Sequence, residues 1–319
     1  MRRVLTTLIS VFALSTLVVA FGAAGAFAHS GHKHGASFGM GVGTKPDPRG
    51  FAGLVKNAKG KCGRHYEVKS KDKNGKERIS CTHGPDAPPP GAPASDDLRS
   101  VTELETTSAR GPETAESVSC DGSNSDGMRV VAIYAYPTDQ PNRSASVIPL
   151  IREWASQVDD VYYESARETS GSRSVRWLTE PSSTGACRIK VETLAVSPTG
   201  DDNFTNTLNE SHAAGNTSLN RRYIIWMDGS NSLGTCGVGE LWGDDQPGPG
   251  NWSNGGVDTG YVGLTSRIDQ NCWGFQNQSV EGHELGHNLG AVQDSAPNTS
   301  GAGHCVDEWD IMCLSLIHI

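Results

Sequence analysis

Two histidines four residues apart, with a glutamate directly after the first, are the residues of this 319-residue chain whose spacing best suits chemistry. The run is His283-Glu284-Leu285-Gly286-His287-Asn288-Leu289-Gly290. On a helix, positions i and i+4 are neighbours on one face, so two neutral imidazoles at that spacing can grip one Zn²⁺. Glu284 lies one residue further round, where it can hold a water beside the metal and take its proton. That is hydrolytic chemistry. The bland alternative is an exposed amphipathic helix with two solvated histidines. Leu285 and Leu289, also four apart, give the helix a core side, and Gly290 is placed to end it with φ > 0. Gly286 in the helix interior costs about 1 kcal/mol, which calls for a close approach by metal, substrate or backbone as compensation.

Such a helix needs a domain to hold it. The sequence turns globular at Met128. Residues 128–136 are an apolar strand ended by Pro137. From 146 to 170, Val147, Ile148, Ile151, Trp154, Ala155, Val158, Val161 and Tyr162 keep a 3.6-residue period, which predicts a helix ended by Gly171. Strands are expected at 175–178, 189–196 and 223–227. Asp201-Asp202 should cap a helix running to about Ala214. Residues 229–258, rich in Gly, Asn, Pro and Trp, should form long loops around one short edge strand. A last strand is expected at 261–265, and the histidine helix at about 276–289. Roughly 190 residues suffice for one domain with a real core.

The N-terminus bears on compartment. Met1-Arg2-Arg3, an apolar run from Val4 to Phe21 and then Ala26-Phe27-Ala28 form a secretory signal over residues 1–28. An uncleaved anchor is the competing reading, but Thr6, Thr7, Ser10, Ser15 and Thr16 dilute the run. No second apolar stretch approaches the ~18 residues of a membrane span. A secreted product without a stable membrane anchor is expected. Cys62, Cys81, Cys120, Cys187, Cys236, Cys272, Cys305 and Cys313 are an even set, and in an exported chain such a set points to disulfides. No C-x₂-C pair supports a Cys₄ metal site, and nearest-neighbour pairing (62–81, 120–187, 236–272, 305–313) is expected.

Net charge is −9, yet the stretch from Lys33 to Arg78 is rich in Lys and Arg. A solvated or chaperoning prosegment is preferred there over a nucleic-acid or membrane-surface arm. Asn74-Gly75 between two short alternating runs signals a hairpin, which a 62–81 disulfide would close. The run from Pro85 to Pro93 reads as a stiff linker, and residues 94–119 as disordered. His29, His32 and His34 form a short tract that could bind metal weakly or be inert. The expected organisation is a signal at 1–28, a basic prosegment with linker at 29–119, and a catalytic domain at 120–319.

The succession of strand, long helix, strands and an H-E-x-x-H helix ending at Gly290, with Met312 downstream, resembles the metzincin clan of secreted zinc peptidases. The resemblance covers about residues 120–313, with its specific motifs in 283–313. It implies an α+β fold of the zincin type: a twisted mixed sheet backed by helices, a cleft above one Zn²⁺, and a Met-containing turn beneath it. It implies His283 and His287 as ligands, Glu284 as general base and Met312 as the turn methionine, a packing element. The clan pattern would place a third histidine at 293, where this chain has Gln293, and a neutral amide oxygen is a poor zinc ligand. His304, after flexible glycines and before Cys305, ranks first as third ligand. Gln293 and Asp294 are the alternatives, with Asp307 and Asp310 behind them; a plain surface histidine is the bland reading of His304. The clan also has further chain after this methionine, so Leu314–Ile319 is expected to end an incomplete C-terminal subdomain.

The function expected is that of a monomeric zinc endopeptidase acting on protein or peptide substrates, with no nucleic-acid partner. A non-enzymatic zincin-like binding module is the second hypothesis. The third makes the basic, His-rich arm a metal- or polyanion-binding segment. The absence of a Gly-x-Ser-x-Gly elbow, with cysteines that read as paired, argues against serine or cysteine nucleophiles. Gly243-Asp244-Asp245-Gln246 is a weak candidate for Ca²⁺ beside the simpler reading of a solvated loop.

Overall fold

The structure, a computed structural model, describes residues 48–88, 92, 98–105, 118, 124–183, 185–229, 234–243, 245, 263–275, 279–306 and 310–313. The signal, the His29–His34 tract, Cys120, Asp244, Asp307 and the final run Leu314–Ile319 lie outside these residues. In chain order the strands are β1 (Leu54–Lys56), β2 (Tyr66–Lys71), β3 (Glu77–Thr82), β4 (Arg129–Pro137), β5 (Thr179–Pro181), β6 (Cys187–Ile189), β7 (Val191–Val196), β8 (Arg221–Met227), β9 (Gly237–Leu241) and β10 (Thr265–Asp269). The helices are α1 (Val101–Glu105), α2 (Ser144–Glu168), α3 (Phe204–Ala213) and α4 (Ser279–Leu289).

The architecture is mixed α+β, with one large mixed sheet in the order β1-β2-β3-β9-β10-β8-β4-β7. β7, β4, β8 and β10 run parallel to one another, and β9 lies antiparallel to β10. β4 and β8 are nearly continuous apolar runs, as strands covered on both faces should be. Their alternate residues face opposite ways. Val130, Ala132 and Tyr134, with Ile224 and Trp226, meet Val147, Ile151, Trp154 and Val158 of α2 and Leu285 of α4. Val131, Ile133, Ala135, Ile225 and Met227 form the second cluster with Leu194 and Val196.

Several expectations need correction. Of the two readings of the basic arm, the solvated one fails for its described part, from Pro48 on: β1, β2 and β3 extend the main sheet, and β3 pairs antiparallel with β9. Val68 of β2 packs with Phe204, Leu208 and Val238, so apolar burial outweighs the charged character of this segment. β9 is the strand expected inside residues 229–258, but it is flanked on both sides instead of lying at an edge. The strand expected at 175–178 shrinks to a single bridge between Trp177 and Val130, and the one at 189–196 breaks at Lys190, whose N–H turns to Leu178. Asn203, not the aspartates before it, caps α3 by accepting from the Asn206 N–H. β10 starts where 261–265 was expected to end. Leu289 is 45 % exposed, so Leu285 serves the core side of α4 with Val280 instead. Within 94–119, Val101–Glu105 form α1, and Leu104 is fully buried.

The hairpin signal holds. β2 and β3 pair across the Asp72–Lys76 turn, with Gly75 at φ 77°, and the Asp72 carboxylate accepts from the Asn74 and Lys76 N–H groups. Disulfides join Cys62 to Cys81, Cys236 to Cys272 and Cys305 to Cys313. Cys187 is disulfide-bonded as well. Among the described residues there is no free cysteine and no helix long and apolar enough to cross a membrane.

Candidate metal centre

α4 packs against β9 and β10 and buries His283, Glu284 and His287. Ser266 of β10 donates to the Glu284 carbonyl at 2.8 Å and to the Asn288 side-chain oxygen at 2.7 Å, which fixes the rotation of the helix against the sheet. Gly290, at φ 89°, ends it, with Ala291 N–H donating to the Gly286 carbonyl. The close approach that Gly286 called for is Met312: a Cβ at 286 would collide with the Met312 sulfur. Met312 is buried against the helix.

The Cys305–Cys313 disulfide ties the chain carrying His304 to the chain carrying Met312, and Cys305 N–H donates to the Met312 carbonyl. Gly301 and Gly303, both at positive φ, let the loop fold back. His304 thereby joins the helix histidines. Its ring centroid is 5.2 Å from those of both His283 and His287, which are 4.7 Å apart. His283 Nδ1 donates to the Ile311 carbonyl at 2.7 Å, which leaves its Nε2 lone pair facing inward. That Nε2 faces His287 Nε2 at 3.0 Å, close to the roughly 3.3 Å between two tetrahedral zinc nitrogens.

Two residues from outside the helical motif enter the same cluster. Asp86 places its carboxylate 3.1 Å from His283 Nε2 and 3.4 Å from His304 Nε2. His83 stacks on His287 with centroids 4.0 Å apart, and its Nε2 lies 3.6 Å from Glu284 Oε2. His83, Asp86, His287 and His304 form one group able to hold a metal ion, and Asp86, His283 and Glu284 form a second. Among the described residues, buried His304 Nε2, His83 Nε2 and both Glu284 carboxylate oxygens have no hydrogen-bond partner. Unpaired buried polar atoms are costly, and a cation is a natural answer to this set.

Burial dominates the electrostatics. It pushes the Glu284 carboxyl well above the usual range, and the Asp86 charge adds to that. Burial pushes His287 well below its ordinary value, helped by the neighbouring His83, His283 and His304. Burial drives His83 down to about 3 against the pull of Asp86. It would raise Asp86 too, but His83 and His304 outweigh it and hold that carboxyl well below the carboxylate range. Glu284 fits only because β9 is glycine-rich. A Cβ at Gly237 or Gly239 would run into its carboxylate.

The remaining candidates lie elsewhere. Gln293 donates to the Trp242 carbonyl at 3.3 Å. Asp294 faces Arg64 and His65. Asp310 accepts from the Met312 N–H, and Asp245 accepts from the Ser295 N–H at 2.6 Å. Sequence reasoning missed His83 and Asp86, which stand some 200 residues before the motif in an ordinary Thr-His-Gly-Pro-Asp run. Only their contact with β9 brings them in. The chain matches no protein-family model, no curated protein and no solved structure.

Proposed function

We propose that this chain is a secreted zinc endopeptidase of the metzincin type. The observation that supports it is the convergence of the His283, His287 and His304 imidazoles beside a buried glutamate, over a packed methionine. Those three histidines would hold Zn²⁺. When bound, the ion polarises a scissile carbonyl and lowers the pKa of water to about 7. Glu284 takes the proton of the attacking water and returns it to the leaving amine. The Ile311 carbonyl holds the His283 ring in the tautomer that presents Nε2. Gly237 and Gly239 leave the carboxylate its space. The disulfides fit export.

Asp86 in the cluster favours a second reading, a metal-binding module without turnover, since a closed ligand shell marks structural zinc sites. The test uses a full chain carrying Asp86→Ala, so that the cluster is open. That chain should hydrolyse casein, and 1,10-phenanthroline should abolish the activity. Adding Glu284→Ala should keep the zinc and cost a factor of about 10² or more. No hydrolysis by the open chain would support the binding module, and hydrolysis undiminished by Glu284→Ala would remove Glu284 as the base.

A further inference from the structure

The hairpin of β2 and β3 concentrates charge of one sign. Residues 48–88 hold ten Lys and Arg against four Asp and Glu, a net of +6 in a chain of −9, so the rest of the molecule stands at −15. Most carboxylates of this arm are withdrawn from its surface. Glu67 is buried, where it accepts from the Asn57 side chain and the Lys61 N–H. Asp72 is buried too and pairs with Arg78 at 2.9 Å. Asp86 lies in the histidine cluster. Arg64 spends its charge on Asp294, and Lys56 lies over the Tyr66 ring. Lys69, Lys71, Lys73 and Lys76 remain, all exposed and, among the described residues, in no ion pair. Between Tyr66 and Thr82 the only exposed carboxylate is Glu77, opposite Lys71.

The four lysines are presented on a rigid frame. Lys69 and Lys71 share one face of β2, about 7 Å apart, and Val68 on the other face packs with Phe204 and Leu208 of α3. Lys71 N–H donates to the Asn209 side chain at 2.7 Å, and its carbonyl meets His212 Nδ1 at 3.1 Å. α3 therefore already seals the strand there, and lysines that only guard an open sheet edge would belong on β1. The Asp72 carboxylate fixes the turn that carries Lys73 and Lys76, and the Cys62–Cys81 disulfide ties β3 to the loop before β2. Four like charges gathered without partners repel one another, and they attract a polyanion. We propose that the hairpin tip, residues 69–76, is a docking surface for an acidic polysaccharide, a polymer bearing sulfate or carboxylate groups at close intervals. Lysine offers point charges rather than the planar fork with which arginine grips phosphate. The nearby aromatics, Phe51 and Tyr66, pack on each other at 5.3 Å instead of offering a stacking face to bases. The choice of polymer rests on export, the one part of the proposed function that it uses. Export takes the hairpin away from cellular nucleic acid and from the anionic cytoplasmic leaflet.

The test measures binding of the full chain to heparin, a sulfated polysaccharide, by titration calorimetry at several salt concentrations. Each contact between a lysine and the polymer releases counterions, so Kd should rise steeply with salt. A chain carrying Lys69→Gln, Lys71→Gln, Lys73→Gln and Lys76→Gln should bind about tenfold more weakly or worse at physiological salt, and the slope of log Kd against log salt should flatten by about 2–4 units. The same four positions changed to Arg should keep the binding, and Glu77→Gln should tighten it, two results that a folding defect does not produce. An unchanged Kd and slope in the glutamine chain overturns the inference, whether or not the chain cleaves casein. Tighter binding to a DNA duplex of matched charge, or to phosphatidylserine vesicles, than to heparin overturns the choice of partner. A chain that binds heparin through these lysines but cleaves nothing upholds the docking surface and sinks the peptidase reading instead.

Discussion

His304→Ala should weaken zinc binding far more than Gln293→Ala, because His304 turns its imidazole into the cluster while Gln293 spends its amide on the Trp242 carbonyl. A chelator-competition titration of the two variants measures the difference. We expect His304→Ala to lose roughly a hundredfold or more, and Gln293→Ala less than the 10–100-fold typical of an outer partner. The reverse order would refute the assignment. The helix residues were legible because their chemistry lies in local spacing: i and i+4 put His283 and His287 on one face whatever the fold. His304 was legible only as the better donor among nearby candidates. His83 and Asp86 were not legible at all, since a histidine and an aspartate beside a proline-rich run carry no local mark of the sheet pairing that delivers them.

Glu240 links several elements and makes their packing depend on pH. It sits in β9, and its carboxylate accepts from the Thr265 N–H of β10 at 2.7 Å, with Ser80 of β3 and Arg222 of β8 nearby. Burial pushes its carboxyl up to about 7 from an ordinary 4.5. Between those values the folded chain keeps a proton that the unfolded chain has lost. Stability from this group is therefore complete below about pH 4.5 and is lost as pH rises towards 7, by on the order of 3 kcal/mol. Glu240→Gln removes the titration, so its Tm should change less between pH 5 and pH 8 than the wild-type Tm. Equal pH dependence in thermal melts would contradict this. The long α2 and the strands β4 and β8 were readable from the sequence because periodicity and continuous apolar runs are strong signals. The boundaries of β7 and β10 and the cap of α3 were less so. There tertiary bonds, such as Lys190 N–H to the Leu178 carbonyl, decide where an element stops.

At the scale of the whole molecule, distant parts of the chain meet in one sheet and one cluster. β3, near residue 80, closes against β9, near residue 240, and Asp86 reaches histidines that lie about 200 residues further on. The charge of the N-terminal arm suggested a solvated segment. Its cysteine pair and its few apolar residues, Val68 among them, decided otherwise. Mean composition is a poor guide when a handful of buried side chains carries the docking. Zinc K-edge X-ray absorption of the zinc-loaded full chain tests the central claim most directly, because it counts the imidazoles on the metal. One zinc per chain is expected, with three imidazole ligands, the remaining scatterer oxygen and no sulfur. A shell with two imidazoles or fewer, or with a Zn–S contribution, would contradict it.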